Sequence, residues 1–251
     1  MTTTLITGAS SGIGAELARQ LGAAGDDLAL CARRTDRLEV LRAEILAAHP
    51  DRRVAIRALD VTDDDAVFGV VREFVEELGG LDRVVINAGL GKGAPIGVGR
   101  YDANRQTAMT NFVGALAQAE AAMEVFRAAG RGHLVMISSM SALRGMPKTM
   151  TTYAATKAGV AALAEGIRSE MLGDPDLDIT VTTIYPGYIR SEMNEKVAQQ
   201  TRFMVDTETG VRGIVHAIEK GVDSARVPSW PWKPLGTAMR HLPLGVVRRL
   251  T

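Results

Sequence analysis

A short apolar strand that breaks into a glycine-rich turn and then a helix constrains this chain more than any other feature. Leu5-Ile6 reads as a buried strand, and Thr7-Gly8-Ala9-Ser10-Ser11-Gly12-Ile13-Gly14 follows it without a spacer. Behind the turn, Ile13, Leu17 and Leu21 recur at helical spacing, with Gly25 as the stop. Strand, turn and helix N-terminus together form an anion site. The first helical amides have no partner inside the helix, and the helix dipole favours negative charge there. Gly8, Gly12 and Gly14 fall where a Cβ would keep backbone away from backbone or from a pyrophosphate. The spacing is G-x-x-x-G-x-G, which differs from the usual G-x-G-x-x-G, and a plain tight turn is the alternative.

The same alternation continues. Leu28-Ala29-Leu30-Cys31-Ala32 is a second strand, ending at Arg33-Arg34. In a dinucleotide fold this position, about 20 residues past the glycines, faces the adenosine ribose. An acid there would hold the 2′-hydroxyl of NAD, whereas arginine suits the 2′-phosphate of NADP through a charge-assisted fork. Two solvated arginines at a strand end are the alternative. A helix from about Thr35, a candidate cap, to His49 ends at Pro50, and Val54 to Leu59 is the third strand. Asp60 then either contacts the adenine amine or caps the turn. Thr62 with Asp63, Asp64 and Asp65 reads as a capped helix start with acids at the positive end of the dipole. Val67, Val70, Val71, Phe74, Val75 and Leu78 form its buried stripe, and Gly79-Gly80 ends it. Arg83-Val84-Val85-Ile86 is the fourth strand, leading to Asn87-Ala88-Gly89. Such alternation predicts a Rossmann-like, doubly wound parallel α/β sheet of about seven strands, flanked by helices on both faces. Ligands of such sheets bind at the carboxyl ends of the strands, where every motif so far lies.

The second half supplies reacting groups. A glycine-rich loop (Gly91, Gly93, Gly97, Gly99) precedes a long helix expected from about Asp102 to Ala128, with Asn111 inside it. Strand five, His133 to Ile137, ends at Ser138-Ser139. The next helix, running to about Met171, carries Tyr153-Ala154-Ala155-Thr156-Lys157. A spacing of four places phenol and ammonium on one helical face. A free tyrosine keeps its proton to a pKa of about 10, so acid–base work near neutrality needs roughly 4 kcal/mol of help from a neighbouring charge. By itself the pair reads more simply as a surface tyrosine packed on a lysine stem.

In order and combination, Thr7 to Gly14, Asn87-Ala88-Gly89, Ser139, Tyr153-x-x-x-Lys157 and Pro186-Gly187 resemble the single-domain short-chain dehydrogenase/reductase family, from Thr4 to about Ser191. The resemblance implies a catalytic tetrad of Asn111, Ser139, Tyr153 and Lys157. Tyr153 would exchange a proton with a substrate carbonyl or alcohol, and Ser139 would hydrogen-bond the same oxygen. Lys157 would lower the phenol pKa and bind the nicotinamide ribose, and Asn111 would hold a water reaching solvent. It implies a cofactor bed of Gly8, Ser10, Ser11, Gly12, Ile13, Gly14, Arg33, Arg34, Asp60, Val61, Asn87, Ala88, Gly89, Tyr153, Lys157, Pro186, Gly187, Ile189 and Ser191. One departure is visible. The family's serine usually stands thirteen residues before the tyrosine, a place held here by Met140. Ser139 stands fourteen before, and Ser141 is the substitute.

The sixth strand is expected at Ile179 to Ile184, followed by Tyr185-Pro186-Gly187. By resemblance, residues 187–206 hold the substrate lid, where Met193, Phe203 and Met204 offer adaptable apolar contacts or ordinary helix packing. A helix from about Thr207 to Lys220 and a strand at Ala225 to Pro228 precede a C-terminal amphipathic extension, 229–251. Leu235, Met239, Leu242, Leu244, Val246, Val247 and Leu250 give it an apolar side that suits a cover over the substrate cleft or a subunit contact. Lys233, Arg240, Arg248 and Arg249 would suit a membrane surface instead.

The 251 residues suffice for one nucleotide-binding domain spanning 1–251, and zero formal net charge argues against nucleic acid as a partner. The single cysteine, Cys31, excludes an internal disulfide and reads as strand filling. No leader and no membrane-length apolar run is legible, so the expectation is a cytoplasmic enzyme. No metal ligand set is assigned. The expected activity is interconversion of a ketone or aldehyde and an alcohol with NADP(H), NAD(H) being less favoured, on a lipophilic small molecule. The alternative is an NADPH-binding sensor or scaffold without turnover. Resemblance suggests a homodimer or homotetramer packed through the helices of Asn111 and Tyr153.

Overall fold

The structure, a computed structural model, describes residues 1–192 and 203–250. Seven strands form one sheet: β1 (Thr3–Thr7), β2 (Asp27–Ala32), β3 (Val54–Ala58), β4 (Arg83–Ile86), β5 (Arg131–Ile137), β6 (Asp178–Pro186) and β7 (Ser224–Val227). Their order is β3-β2-β1-β4-β5-β6-β7, and every pairing is parallel. The sheet is Rossmann-like, as the alternation of elements predicts. Successive residues of a strand point to opposite faces, and register lines them up across the sheet. Leu5 pairs with Ala29 and Val84 on one face, and Ile6 with Leu30 and Val85 on the other.

Among the described residues, helices pack on both faces. The Leu5 face takes Phe74 of α3 (Asp64–Leu78), Phe126 of α5 (Gly114–Ala129) and Val160 of α6 (Met150–Leu172). The Ile6 face takes Leu17 of α1 (Gly12–Ala24), Leu38 of α2 (Thr35–Ala48) and Ile214 of α7 (Thr207–Glu219). Burial on both faces explains why the strands carry almost unbroken apolar runs. Cys31 belongs to this packing, and burial pushes its thiol pKa up to about 12, so it is inert filling.

Three local expectations need correction. The helix expected from Asp102 to Ala128 is divided: α4 (Tyr101–Ala108) gives way to a π-helical turn, Met109–Val113, before α5. The N-terminal cap of α3 is Asp63, whose carboxylate accepts from the Ala66 amide at 3.1 Å. Thr62 is unavailable because its amide and hydroxyl both donate to Asp60. The cap position of α2 is Arg34 and not Thr35. Beyond β7, the C-terminal extension forms α8 (Ser229–His241), kinked at Trp230, and α9 (Leu244–Leu250). Among the described residues no helix is long and apolar enough to cross a membrane.

The amino ends of the strands carry a buried polar network. Thr4 donates to Asp26 at 2.6 Å, and the Arg83 guanidinium lies 3.0 Å from the same carboxylate. Burial pushes the Asp26 pKa up, against the Thr4 hydrogen bond and the Arg83 charge. Thr182 spends its one proton on the Val222 carbonyl, so the 2.9 Å contact with His133 must use an Nε2–H on the imidazole. Its Nδ1 then faces the Arg83 Nε–H at 3.4 Å as an acceptor. Burial, with the nearby Arg83 charge, lowers the His133 pKa to about 4. The unfolded chain therefore binds a proton that the native chain refuses, first below about pH 6.5 and until about pH 4. Unfolding free energy measured by urea titration across that window is expected to fall by up to about 1.4 kcal/mol per pH unit from this group. His133→Gln, which keeps a donor and an acceptor but cannot titrate, should flatten that part of the profile.

Candidate active site

A cleft of about 570 Å³ opens at the carboxyl ends of the strands, and the sequence motifs converge on it. The chain runs outward from β1 to β3 and returns beside β1 as β4, which leaves a crevice where the direction reverses. The turn after β1 is held from the β4 side. The Thr7 hydroxyl oxygen accepts from the Asn87 and Ala88 amides, each at 3.1 Å. The Asn87 side-chain amide donates back to the Thr7 carbonyl at 3.0 Å. A Cβ on Gly8 would fall 2.8 Å from the Ala88 Cα, and one on Gly14 only 2.5 Å from the Gly8 carbonyl oxygen. Glycine at these two places lets the loop, the helix start and β4 close onto one another.

The first turn of α1 is left open. Ser11 occupies its cap position without a side-chain cap, and no acid stands in that turn. The Ser11 hydroxyl instead accepts from Arg34 Nη2 at 2.7 Å, while Ser10 accepts from Nε and Nη2 of the same guanidinium. Arg33 lies 3.8 Å from Asp60, whose other oxygen holds Thr62. Asp60 thus caps its turn while lining the cleft with Val61.

At the opposite end, α6 presents Tyr153 and Lys157. Lys157 is buried, and its ammonium donates to the Ile137 carbonyl at 2.8 Å. Desolvation brings its pKa down to about 8. Tyr153 is half-buried and hydrogen-bonded to Ser139. Burial raises its pKa, which the Ser139 bond partly opposes. The expected lowering of the phenol by Lys157 is therefore absent from this arrangement: burial acts on both groups and drives each toward its neutral form. The two candidate serines are placed differently. Ser139 faces Tyr153, and the buried Ser141 sits behind it, donating its hydroxyl to Ser139 at 2.9 Å.

Asn111 is carried by the π-helical turn, where the wider winding re-aims the side chain. It grips the Leu90 backbone from both sides, accepting from its amide at 2.6 Å and donating to its carbonyl at 2.9 Å. Gly89 lies between this amide group and Lys157: a Cβ there would be 3.4 Å from Asn111 Oδ1 and 3.6 Å from the lysine nitrogen. Pro186, Gly187, Ile189 and Ser191 complete the wall. The Trp232 ring covers Gly187 so closely that a Cβ would lie 2.2 Å from it, and Tyr188 meets the same ring edge-on at 5.4 Å. Within the expected lid, the two described stretches are tied where the Arg190 amide donates to the Val205 carbonyl at 3.0 Å. Met193 lies outside the described residues, Phe203 is exposed, and Met204 is partly buried.

The cleft thus brings together the positions expected to line it, except that Gly14 packs against the Gly8 carbonyl beneath the loop and Asn111 acts from behind Leu90. Sequence reading missed the supports: Thr7, Ser138, which donates to the Lys157 carbonyl at 2.7 Å, and Glu192, which binds Arg34. A threonine ending a strand and a second serine beside Ser139 were visible signals. Glu192 had none, because its partner lies 158 residues away.

Residues 2–202 match the short chain dehydrogenase family, and the chain belongs to it. It is therefore an oxidoreductase of the short-chain dehydrogenase/reductase family. It is 51% identical over 245 residues to an uncharacterised oxidoreductase of Mycobacterium tuberculosis, covering 98% of this chain and 95% of that one. Among solved structures it is similar to a short-chain type dehydrogenase/reductase from Mycobacterium marinum, at 28% identity and a TM-score of 0.80, over 89% of this chain and 92% of that one. It is also similar to an alcohol dehydrogenase from Thermococcus sibiricus complexed with 5-hydroxy-NADP, at 26% identity and a TM-score of 0.78, over 90% and 95% of the two chains.

The Thr7 hydroxyl offers a direct check on how the cleft is held. Thr7→Val keeps the shape but leaves two amides without an acceptor, so a loss of about 2 kcal/mol of stability is expected in urea unfolding. Thr7→Ser should restore most of it.

Proposed function

We propose that the protein interconverts a ketone or aldehyde and an alcohol with NADP(H), with Tyr153 as the general acid/base. The observation that carries this reading is Tyr153 bonded to Ser139, one helical turn from Lys157, in a cleft whose other end holds Arg33 and Arg34. The residues suit a dinucleotide. The uncapped first turn of α1 offers amides for a pyrophosphate, and the two arginines with the Ser10 and Ser11 hydroxyls offer donors for a 2′-phosphate. When bound, a nicotinamide ring supplies or accepts the hydride.

The chain's own groups handle the proton. Burial keeps the Tyr153 phenol protonated at neutral pH, which suits donation to a carbonyl oxygen that gains negative charge during reduction. Ser139 stands beside the phenol and can bond that same oxygen. Lys157, with a pKa of about 8, is mainly charged at neutral pH and favours the phenolate left after donation. Asn111 fixes Leu90 and so the floor beside the lysine; a water held there would let the phenolate recover its proton from solvent.

A lipophilic substrate fits the wall around this end. Gly236 of α8 packs on Met140 and Leu143, just behind Ser139, and Trp232 lies against Gly187. The C-terminal extension therefore acts as an apolar cover of the cleft. Phe112 and Leu116 remain partly exposed on the helix beyond Asn111, which supports a subunit contact there.

Tyr153→Phe should lower kcat for ketone reduction about a thousandfold while NADPH binding stays within a few-fold. Retained turnover would rule out tyrosine catalysis, and no turnover in the wild type over a broad ketone and aldehyde panel would favour a binding protein. Arg34→Ala should weaken NADPH by at least about tenfold and leave NADH little changed, read by fluorescence titration.

A further inference from the structure

The arginines at the adenosine end of the cleft already hold a carboxylate. Two nitrogens of the Arg34 guanidinium are bound by Ser10 and Ser11, which fixes its plane and leaves Nη1 facing the cleft rim. Glu192 occupies that Nη1 at 3.1 Å through one oxygen and bonds Arg37, in the first turn of α2, through the other. Arg37 was not foreseen as part of this end of the site. Arg33, Arg34 and Arg37 thus face Asp60 and Glu192, three positive charges against two negative ones.

We propose that Glu192 sets cofactor discrimination by competing with a 2′-phosphate for Arg34 and Arg37. The inference rests on the NADP(H) reading and refines it. A carboxylate and a phosphate are both acceptors only, so they cannot share these donors without repulsion. A ribose 2′-hydroxyl carries a proton and can donate to Glu192, leaving both ion pairs in place. Glu192 thereby penalises the phosphorylated cofactor and accommodates the other, narrowing a preference that three arginines alone would make steep. The carboxylate is half exposed, so displacing it costs little, and the penalty is a matter of a modest factor.

The test is calorimetric titration of the full chain with adenosine 2′,5′-bisphosphate and with 5′-AMP, which differ only in the 2′-phosphate. Glu192→Gln should tighten the bisphosphate about fivefold and leave 5′-AMP within twofold. The gain should vanish when Arg34→Ala is added, which separates competition at this guanidinium from a general change in surface charge. If the wild type prefers the bisphosphate, but Glu192→Gln leaves its affinity unchanged or weakens it, the inference falls and the NADP(H) reading stands. If the wild type binds the two probes equally and Arg34→Ala alters neither, both fall.

Discussion

The site depends on the junction of β1 and β4. The two strands pair across a long stretch of chain: β1 starts at Thr3, and β4 arrives at Arg83, some eighty residues later. One hydroxyl, Thr7 Oγ1, receives both amides that would otherwise be stranded at the start of the Asn87-Ala88-Gly89 turn. The glycines then allow the contact to close, since Gly8 meets Ala88, and Gly14 meets the Gly8 carbonyl, at separations that no Cβ permits. Gly89 carries the junction onward to Asn111 and Lys157. A motif that reads as phosphate binding is thus equally the joint between the two halves of the cleft.

Much of the architecture was legible because it obeys local rules. Near-continuous apolar strands and amphipathic helices specify a parallel sheet covered on two faces, and strand ends then specify where ligands go. The failures were of another kind. The π-helical turn at Met109–Val113 has no periodic signature in so short a segment, and it carries Asn111 to the Leu90 backbone. The cap at Asp63 was misassigned to its neighbour because Thr62 is consumed by Asp60, a bond no propensity reveals. Counting residues left Ser139 and Ser141 open. The hydrogen bond to Tyr153 separates them, since strand β5 delivers the first to the cleft and the short helical turn after it buries the second.

Partnered polar groups at both ends of the cleft change how affinity must be understood. Arg34 is bound by two serines and Glu192, Arg33 by Asp60, Lys157 by the Ile137 carbonyl, and Tyr153 by Ser139. Nothing polar in this set waits without a partner, so a ligand exchanges interactions more than it adds them, and each gain is a difference. At the exposed arginine end, the proposed exchange is between the Glu192 carboxylate and a phosphate. At the buried end it is between protonation states, because desolvation has moved the phenol and the ammonium toward neutrality from opposite sides. In the reaction proposed above, a substrate oxygen gaining negative charge would reverse that balance: it would draw the phenol proton and leave a phenolate that a charged Lys157 would stabilise. On that proposal, the burial that suppresses the ion pair at rest would also make it strong once formed, so the stabilisation would fall on the reacting state more than on the bound substrate.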